Sequence, residues 1–337
     1  MTYTKDDETS IAGLSLVMRS LAGATQTTPL THWLPESDRP STWIPLTRQR
    51  GITKVMPVSE PQLYPALMQS ICQQIRWNTV VEWQGKPYEL TGVEVDTHAL
   101  HVLQIPLFPA KPLPRSMGRA LHAHFFHWLA IADAGLAEKL HQQDNLPMTL
   151  SLESDLSQQQ LKLRISLLQR ELLAPLLLEV TKDLGGEITL ADISCRLSQS
   201  VDIIQTSNFD QLTQIPPQEV IELRFLVPTS FKYDQNVQPF PLPEMVFSSL
   251  RRRWNAFAPE RLRFPKVDWQ GLVAMYKLKT KTFNMEGGSE IGAVGWVRYR
   301  FPNHEQARIA TTLAHFAAFA GVGRKTAMGM GQTQLIS

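Results

Sequence analysis

Cysteine is nearly missing from this chain, with Cys72 and Cys195 the only two in 337 residues. Two thiols cannot build a disulfide framework or a cysteine-rich zinc site. Long apolar runs are missing too. The most hydrophobic stretch, LLAPLLLEV at 172–180, falls far short of the roughly 20 residues that span a bilayer. The opening MTYTKDDETS is polar and acidic, which is not a signal-peptide pattern. Neither charge dominates, since 33 Lys and Arg face 31 Asp and Glu for a net +2. Secreted disulfide scaffolds and helical membrane proteins are thereby excluded. A soluble cytoplasmic protein is expected, with no membrane and no cofactor.

The composition is ordinary for a globular protein, 43% hydrophobic and 19% charged. Its charge is unevenly spread. Residues 221–337 hold sixteen Lys and Arg against eight Asp and Glu, a balance of +8, while the first 220 carry −6. A basic carboxy-terminal third suggests a localised site for a polyanion.

Residues 1–50, broken by TQTTPLTHWLPESDRPST, read as loop or partly disordered chain. A helix is expected over 60–76, and a hairpin over 77–95 with Gly85 and Pro87 at its turn. From about 97 a pattern occurs twice. The first copy runs through the strand ALHVLQIPL (99–107), a proline-rich connection (106, 109, 112, 114) and a helix from 118 to 131. It continues with strands at TLSL and LKLRISLL, a helix interrupted at Pro175, and a strand at GGEITLADISC. The second begins with the strand VIELRFLVPT (220–229) and the helix PEMVFSSLRRRWNAF (243–257). A hairpin across MEGGSE follows, then a helix from His304 to Phe319 capped by Asn303 and Gln306. Strand–helix–strand–strand–helix–strand is the ferredoxin-like order. The expected class is α+β, with tandem ferredoxin-like units at 96–217 and 218–337 and an amino-terminal extension, 1–95, of no readable role.

The chain nearly ends on GVGRKTAMGMG. Gly321, Gly323, Gly329 and Gly331 surround Arg324 and Lys325 in the spacing G-x-G-x5-G-x-G. Bare N–H groups beside two cations would make a cradle for phosphate. The segment lacks the Gly-Lys-Ser/Thr of a Walker loop, and it follows a helix rather than a strand, so neither nucleotide-binding fingerprint fits. Upstream, Lys277, Lys279 and Lys281 alternate along one strand, which puts three ammonium groups on one face about 7 Å apart. Such a row suits water or a polyanion. Arg251, Arg252 and Arg253, then Arg261 and Arg263, add cations nearby.

The ending GVGRKTAMGMGQ resembles the glycine-rich loop of the RAMP superfamily of CRISPR proteins. In particular it is similar to the repeat-processing endoribonucleases called the Cas-six family. The similarity extends to VPTSFK (227–232), PLPEMVFSSLRRRWNAF (241–257), GAVGWVRY (292–299), RALHAHFFHWL (119–129) and AEKLHQ (137–142), and so covers about 97 to 337. The resemblance implies tandem ferredoxin-like folds and metal-independent cleavage of CRISPR repeat RNA into guide RNAs, leaving a 2′,3′-cyclic phosphate. It implies repeat RNA as partner, and other subunits of an effector complex as further candidates.

Such chemistry needs one group to take the 2′-hydroxyl proton and another to protonate the departing 5′-oxygen. Histidine suits both, with an unperturbed pKa of about 6.5. Five of the nine histidines stand at 101, 122, 124, 127 and 141. The family pattern implies His122 and His141 as the catalytic pair. Asp133 is placed to cap a short helix that ends near His141. His124 and His127, three apart, could share a ligand, but no carboxylate or cysteine joins them at metal spacing, and no metal site is expected. Some family members carry a tyrosine where Phe126 stands, and some a lysine soon after the second histidine, absent from QQDNLPM. Charge on the scissile phosphate would then fall to Arg324, Lys325 or Arg119. A non-catalytic RNA-binding RAMP subunit that holds the guide's 3′ stem in a CRISPR effector or CRISPR-associated transposition complex is the rival reading; an unrelated RNA-modifying enzyme with tandem ferredoxin folds is a third.

Overall fold

The computed structural model describes residues 11–23, 27–30, 42–46, 52–58, 63–114, 117–155, 160–285 and 288–336. Of the expected loop at 1–50, the polar opening residues and most of 25–42 lie outside these.

The amino-terminal region builds its own sheet. Its elements are β1 (Gly13–Ser20), β2 (Thr28–Pro29), β3 (Thr42–Pro45), β4 (Ile52–Val58), α1 (Tyr64–Arg76), β5 (Val80–Trp83) and β6 (Lys86–Asp96). The strand order is β2-β5-β6-β1-β4-β3. This corrects the reading of 1–50 as loop. Leu14, Leu16 and Met18 alternate into a core closed by Tyr64, Leu67 and Ile71 of α1. The expected hairpin turns at Gln84 and Gly85, both at positive φ, while Pro87 already pairs with Glu82. Its strands join β1 rather than the ferredoxin-like sheet that follows. At the exit Asp96 bonds both His98 Nδ1 and the buried His101 Nε2 at 2.8 Å. Burial alone would raise the pKa of Asp96, but the bonds and charge of His101, with the bonds from His98, outweigh it and lower it.

The next unit comprises β7 (Leu100–Pro109), α2 (Gly118–Ala132), α3 (Ala134–His141), β8 (Met148–Asp155), β9 (Gln160–Leu167), α4 (Leu173–Asp183), β10 (Glu187–Leu190), β11 (Ile193–Leu197) and β12 (Asp202–Ser207). β9 lies between β7 and β8, while β11 and β12 share the far edge of β7. Three local expectations change. GGEITLADISC is a hairpin, turned by Ala191 and Asp192 at positive φ. α4 is not interrupted, because Pro175 sits in its first turn, where an N–H has no intrahelical partner to lose. Pro106 and Pro109 belong to β7 itself.

A short α5 (Phe209–Thr213) leads to the last unit: β13 (Val220–Thr229), β14 (Phe231–Tyr233), β15 (Asn236–Gln238), α6 (Pro243–Phe257), β16 (Leu272–Met285), β17 (Gly288–Arg300), α7 (His304–Ala320) and β18 (Thr333–Ile336). The sheet order β16-β17-β13-β18 places the fourth strand beside the first and the third beside the second. The same order holds in the preceding unit, so the α+β class with tandem ferredoxin-like folds is observed. Asn303 caps α7 as expected, accepting from Gln306 N at 3.0 Å; the Gln306 side chain instead bonds the backbone at Asp268 and Gln270.

The two ferredoxin-like units share a core. Leu100, Val102 and Leu168 of the first lie in one apolar cluster with Phe316, Ala317 and Ala320 of α7. Each large side chain so withdrawn from water contributes about 1.5–3 kcal/mol. Arg164 of β9 donates to Ala318 O at 2.9 Å, and Glu153 accepts from Gln104 and Gln332. The two units therefore pack as one body.

Candidate nucleic-acid interface and active site

α2 and α3 bring His122 and His141 together. Apolar residues Leu121, Phe125, Trp128 and Leu129 bury one side of α2, which leaves His122 half-buried on its flank. α2 ends at Ala132, and Asp133 caps α3 by accepting from Leu136 N at 2.9 Å. Ala137 and Leu140 then face the core, and His141, the last helical residue, is exposed. The two imidazoles stand 6.4 Å apart between ring centroids. Phe126 stacks on His141 at 3.9 Å and lies 4.8 Å from His122. Burial, with a smaller contribution from His141, lowers the pKa of His122 and favours its neutral form.

His124 packs edge-on against Trp128 at 4.3 Å and lies 5.9 Å from His127. Among the described residues, no group of three or more His, Cys, Asp or Glu side chains is arranged to hold a metal ion.

The glycine-rich loop is not the open cradle expected of it. Gly321, Val322, Arg324, Met328, Met330 and Gly331 donate their N–H groups to backbone carbonyls, and Gly323 donates to Ser249 Oγ. Its glycines permit close packing instead. A Cβ on Gly323, at φ +82°, would lie 2.3 Å from Ser230 O, and one on Gly331, at φ +74°, 2.1 Å from Val322 O. Lys325 is itself left-handed, and Ala327 joins the apolar core of the first unit. The loop also abuts α2, since a Cβ on Gly118 would meet Met328 O at 2.1 Å. Gly118 precedes His122 by four residues, about 6 Å of helix. The loop of one unit thus seats the histidine helix of the other.

Both loop cations meet Glu290, a residue the sequence reading passed over. Lys325 Nζ lies 2.8 Å and Arg324 3.4 Å from its carboxylate, which also accepts from Ser230 Oγ at 2.5 Å. Burial alone would raise the pKa of Glu290; the bonds from Lys325 and Ser230 and the two positive charges overcome it and lower it. Arg324 and Lys325 remain 32% and 30% exposed. One carboxylate against two cations leaves a net positive charge there.

On β16, Lys277, Lys279 and Lys281 are exposed, and their pairing with Trp296, Val294 and Gly292 is unshifted, so the three share one face. The arginines divide. Arg252 is exposed, while Arg251 is half-buried with a 3.4 Å bond to Phe264 O. Arg253 turns inward to bond Leu146 O and Met148 O, the segment that follows His141. Burial, with Arg252 alongside, lowers its pKa to about 10, still above neutrality. The spacing of Leu250, Arg253 and Phe257 on one side of α6 was the available signal. Arg261 is held by both oxygens of Asp210.

The fold and this arrangement define a tandem ferredoxin-like protein with a cationic strand and a paired-histidine site. Residues 223–333 match the family model of the CRISPR-associated endoribonuclease Cas6. Thermus thermophilus Cas6 in a product complex is 27% identical, with a TM-score of 0.62, over 71% of this chain and 100% of that one. A second Cas6 product complex is 28% identical, with a TM-score of 0.60 and the same coverage. A RAMP protein described as binding different RNA substrates matches in fold, at 16% identity and a TM-score of 0.50 over 70% of this chain and 100% of that one. No curated protein matches the chain. The chain is thus similar to the CRISPR-associated endoribonuclease Cas6 in sequence over residues 223–333 and in fold over most of its length. Among the described residues no helix is long and apolar enough to cross a membrane.

Proposed function

We propose that the chain binds CRISPR repeat RNA and cuts precursor transcripts into guide RNAs without a metal ion. The pairing of His122 and His141 carries the reading. Two groups that each reach one phosphodiester through a hydrogen bond of about 3 Å stand about 6 Å apart, the separation of these rings. His122, biased towards its neutral form, takes the 2′-hydroxyl proton. The 2′-oxygen attacks phosphorus, the P–O5′ bond breaks, and His141 protonates the leaving 5′-oxygen. One fragment ends in a 2′,3′-cyclic phosphate, the other in a 5′-hydroxyl. DNA, without the 2′-hydroxyl, is bound and not cut.

Binding falls to the Lys277, Lys279 and Lys281 face, to Arg251 and Arg252, and to Arg324 and Lys325 across the glycine-rich loop. The matched Cas6 structures include complexes with product and with a substrate mimic, which supports repeat RNA as partner. Cytoplasmic location and contact with other effector subunits belong to the same proposal. So does the division at residues 95 and 217.

One observation favours a non-catalytic subunit that holds the guide's 3′ stem: His141 lies flat on the apolar ring of Phe126, which offers no third hydrogen-bonding group. Purified protein and labelled repeat RNA in EDTA separate the two. Cutting that a single 2′-deoxy substitution abolishes establishes the enzyme. Tight binding with intact RNA establishes the scaffold.

A further inference from the structure

Beside the histidine helix lies a cavity of about 270 Å³ that the mechanism above does not use. It opens between the two units, with Gly118 and Leu121 of α2, Leu161 of β9, Val227 of β13, Phe283 of β16 and Gly329 on its walls. The side chains that line it are apolar, and the volume sits just under the ~300 Å³ at which small-molecule sites begin. One flat heterocycle is within that volume.

Phe283 connects this cavity to the cationic strand. The pairing of β16 with β17 runs without a shift from Lys277 to Met285. By the two-residue period, Phe283 therefore continues the face of Lys277, Lys279 and Lys281. Three cations about 7 Å apart lead to one half-buried aromatic ring. The far side of that ring is set by the loop, since a Cβ on Gly329 would come within 3.4 Å of its Cζ. A strand held by its phosphates along the lysines would have its next base carried to the cavity mouth. Unpaired bases are commonly recognised by stacking on an aromatic side chain.

We propose that this cavity receives one unpaired nucleobase of the bound RNA, stacked on Phe283. Gly118 and Leu121 lie within a turn of His122, so the captured base belongs to a nucleotide near the cut and fixes which phosphodiester reaches the histidines. This rests on the RNA-binding reading above and adds a specificity site to it.

The test replaces single nucleotides of the repeat RNA by abasic ones and measures affinity for wild-type protein and for Phe283 variants. One unpaired position should matter, with a loss of about 5- to 150-fold on removal of its base. Phe283→Ala should weaken intact RNA comparably, yet cost nothing further when that base is already absent. Phe283→Leu keeps apolar packing without a stacking face and should lose most of the affinity; Phe283→Tyr should restore it. Leu161→Trp, which puts a bulky ring at another lining position of the cavity, should mimic the abasic RNA. The proposal is overturned if the two losses multiply at every position, if no abasic position matters, or if Phe283→Leu binds as well as the parent. A parent that does not bind repeat RNA at all would overturn the RNA reading too, whereas a parent that binds and cuts with multiplying losses overturns the cavity alone.

Discussion

The two ferredoxin-like units share one strand order and spend it differently. In the first, the fourth-strand position is divided between β11 and β12, and the helical connection is long enough to hold α2 and α3 with their histidines. In the second, that position is the single β18, and the connection into it is the glycine-rich loop. The paired histidines sit on one frame, the exposed lysine row on the other. The loop and Arg253 reach from the second into the first, at Gly118 and at the segment after His141. One fold thus carries the histidine pair in one copy and, in the other, the loop packed against the helix that bears His122.

Removing a member of the first set should hurt most. His141→Ala should slow single-turnover cleavage by about 10²- to 10⁴-fold, with repeat-RNA affinity within about twofold of the parent. Cleavage at the parental rate would remove His141 from the mechanism. Next come the contacts between the units. Arg253→Met strands the carbonyls of Leu146 and Met148, and should lower stability to urea by about 2 kcal/mol. Gly118→Ala drives a methyl into Met328 O and should cost about 1–3 kcal/mol, with a larger fall in cleavage than in binding. Equal falls would mean that the loop merely packs.

The cations of the second unit should act through salt. Each of Lys277→Ala, Lys279→Ala and Lys281→Ala should weaken binding and flatten the slope of log affinity against log salt by about 0.7–0.9. An unchanged slope would leave the row a solvated face. The smallest effect is on acid stability. His122, His124 and His315 all have pKa values lowered chiefly by burial. The unfolded chain takes up their protons first as pH falls below about 6.5. Their contribution is therefore complete above that value and is lost through the lowered range beneath it. Urea midpoints between pH 7.5 and 5.5 should fall, and His315→Gln should reduce the fall.

The second unit was legible because its signals are local. Pro243 opens α6, Asn303 caps α7, and the lysine row follows a two-residue period. The capped α3 ending at His141 was equally plain. The amino-terminal sheet was not, because β1 finds its partners far along the chain, with Gly13 opposite Asp96. Prolines and polar residues around it masked the alternation of Leu14, Leu16 and Met18. The turn at Ala191–Asp192 escaped because alanine seldom takes positive φ. In the site, the glycines were visible but their use was not. Whether a bare N–H faces solvent or a carbonyl such as Ser230 O depends on tertiary packing, and so does the role of Glu290 as the shared counterion. The loop is more buried, and its cations better paired, than an open phosphate cradle would be.

The two imidazoles, on α2 and α3 of the first unit, are proposed to act as one catalytic unit. Single-turnover cleavage by His122→Ala, by His141→Ala and by the double variant, at equal RNA occupancy, tests it most directly. The expected result is that the double variant loses little more than either single one, since a pair that works together fails when either member is gone. Losses that multiply, or a double variant that still cuts at the parental rate, would contradict it.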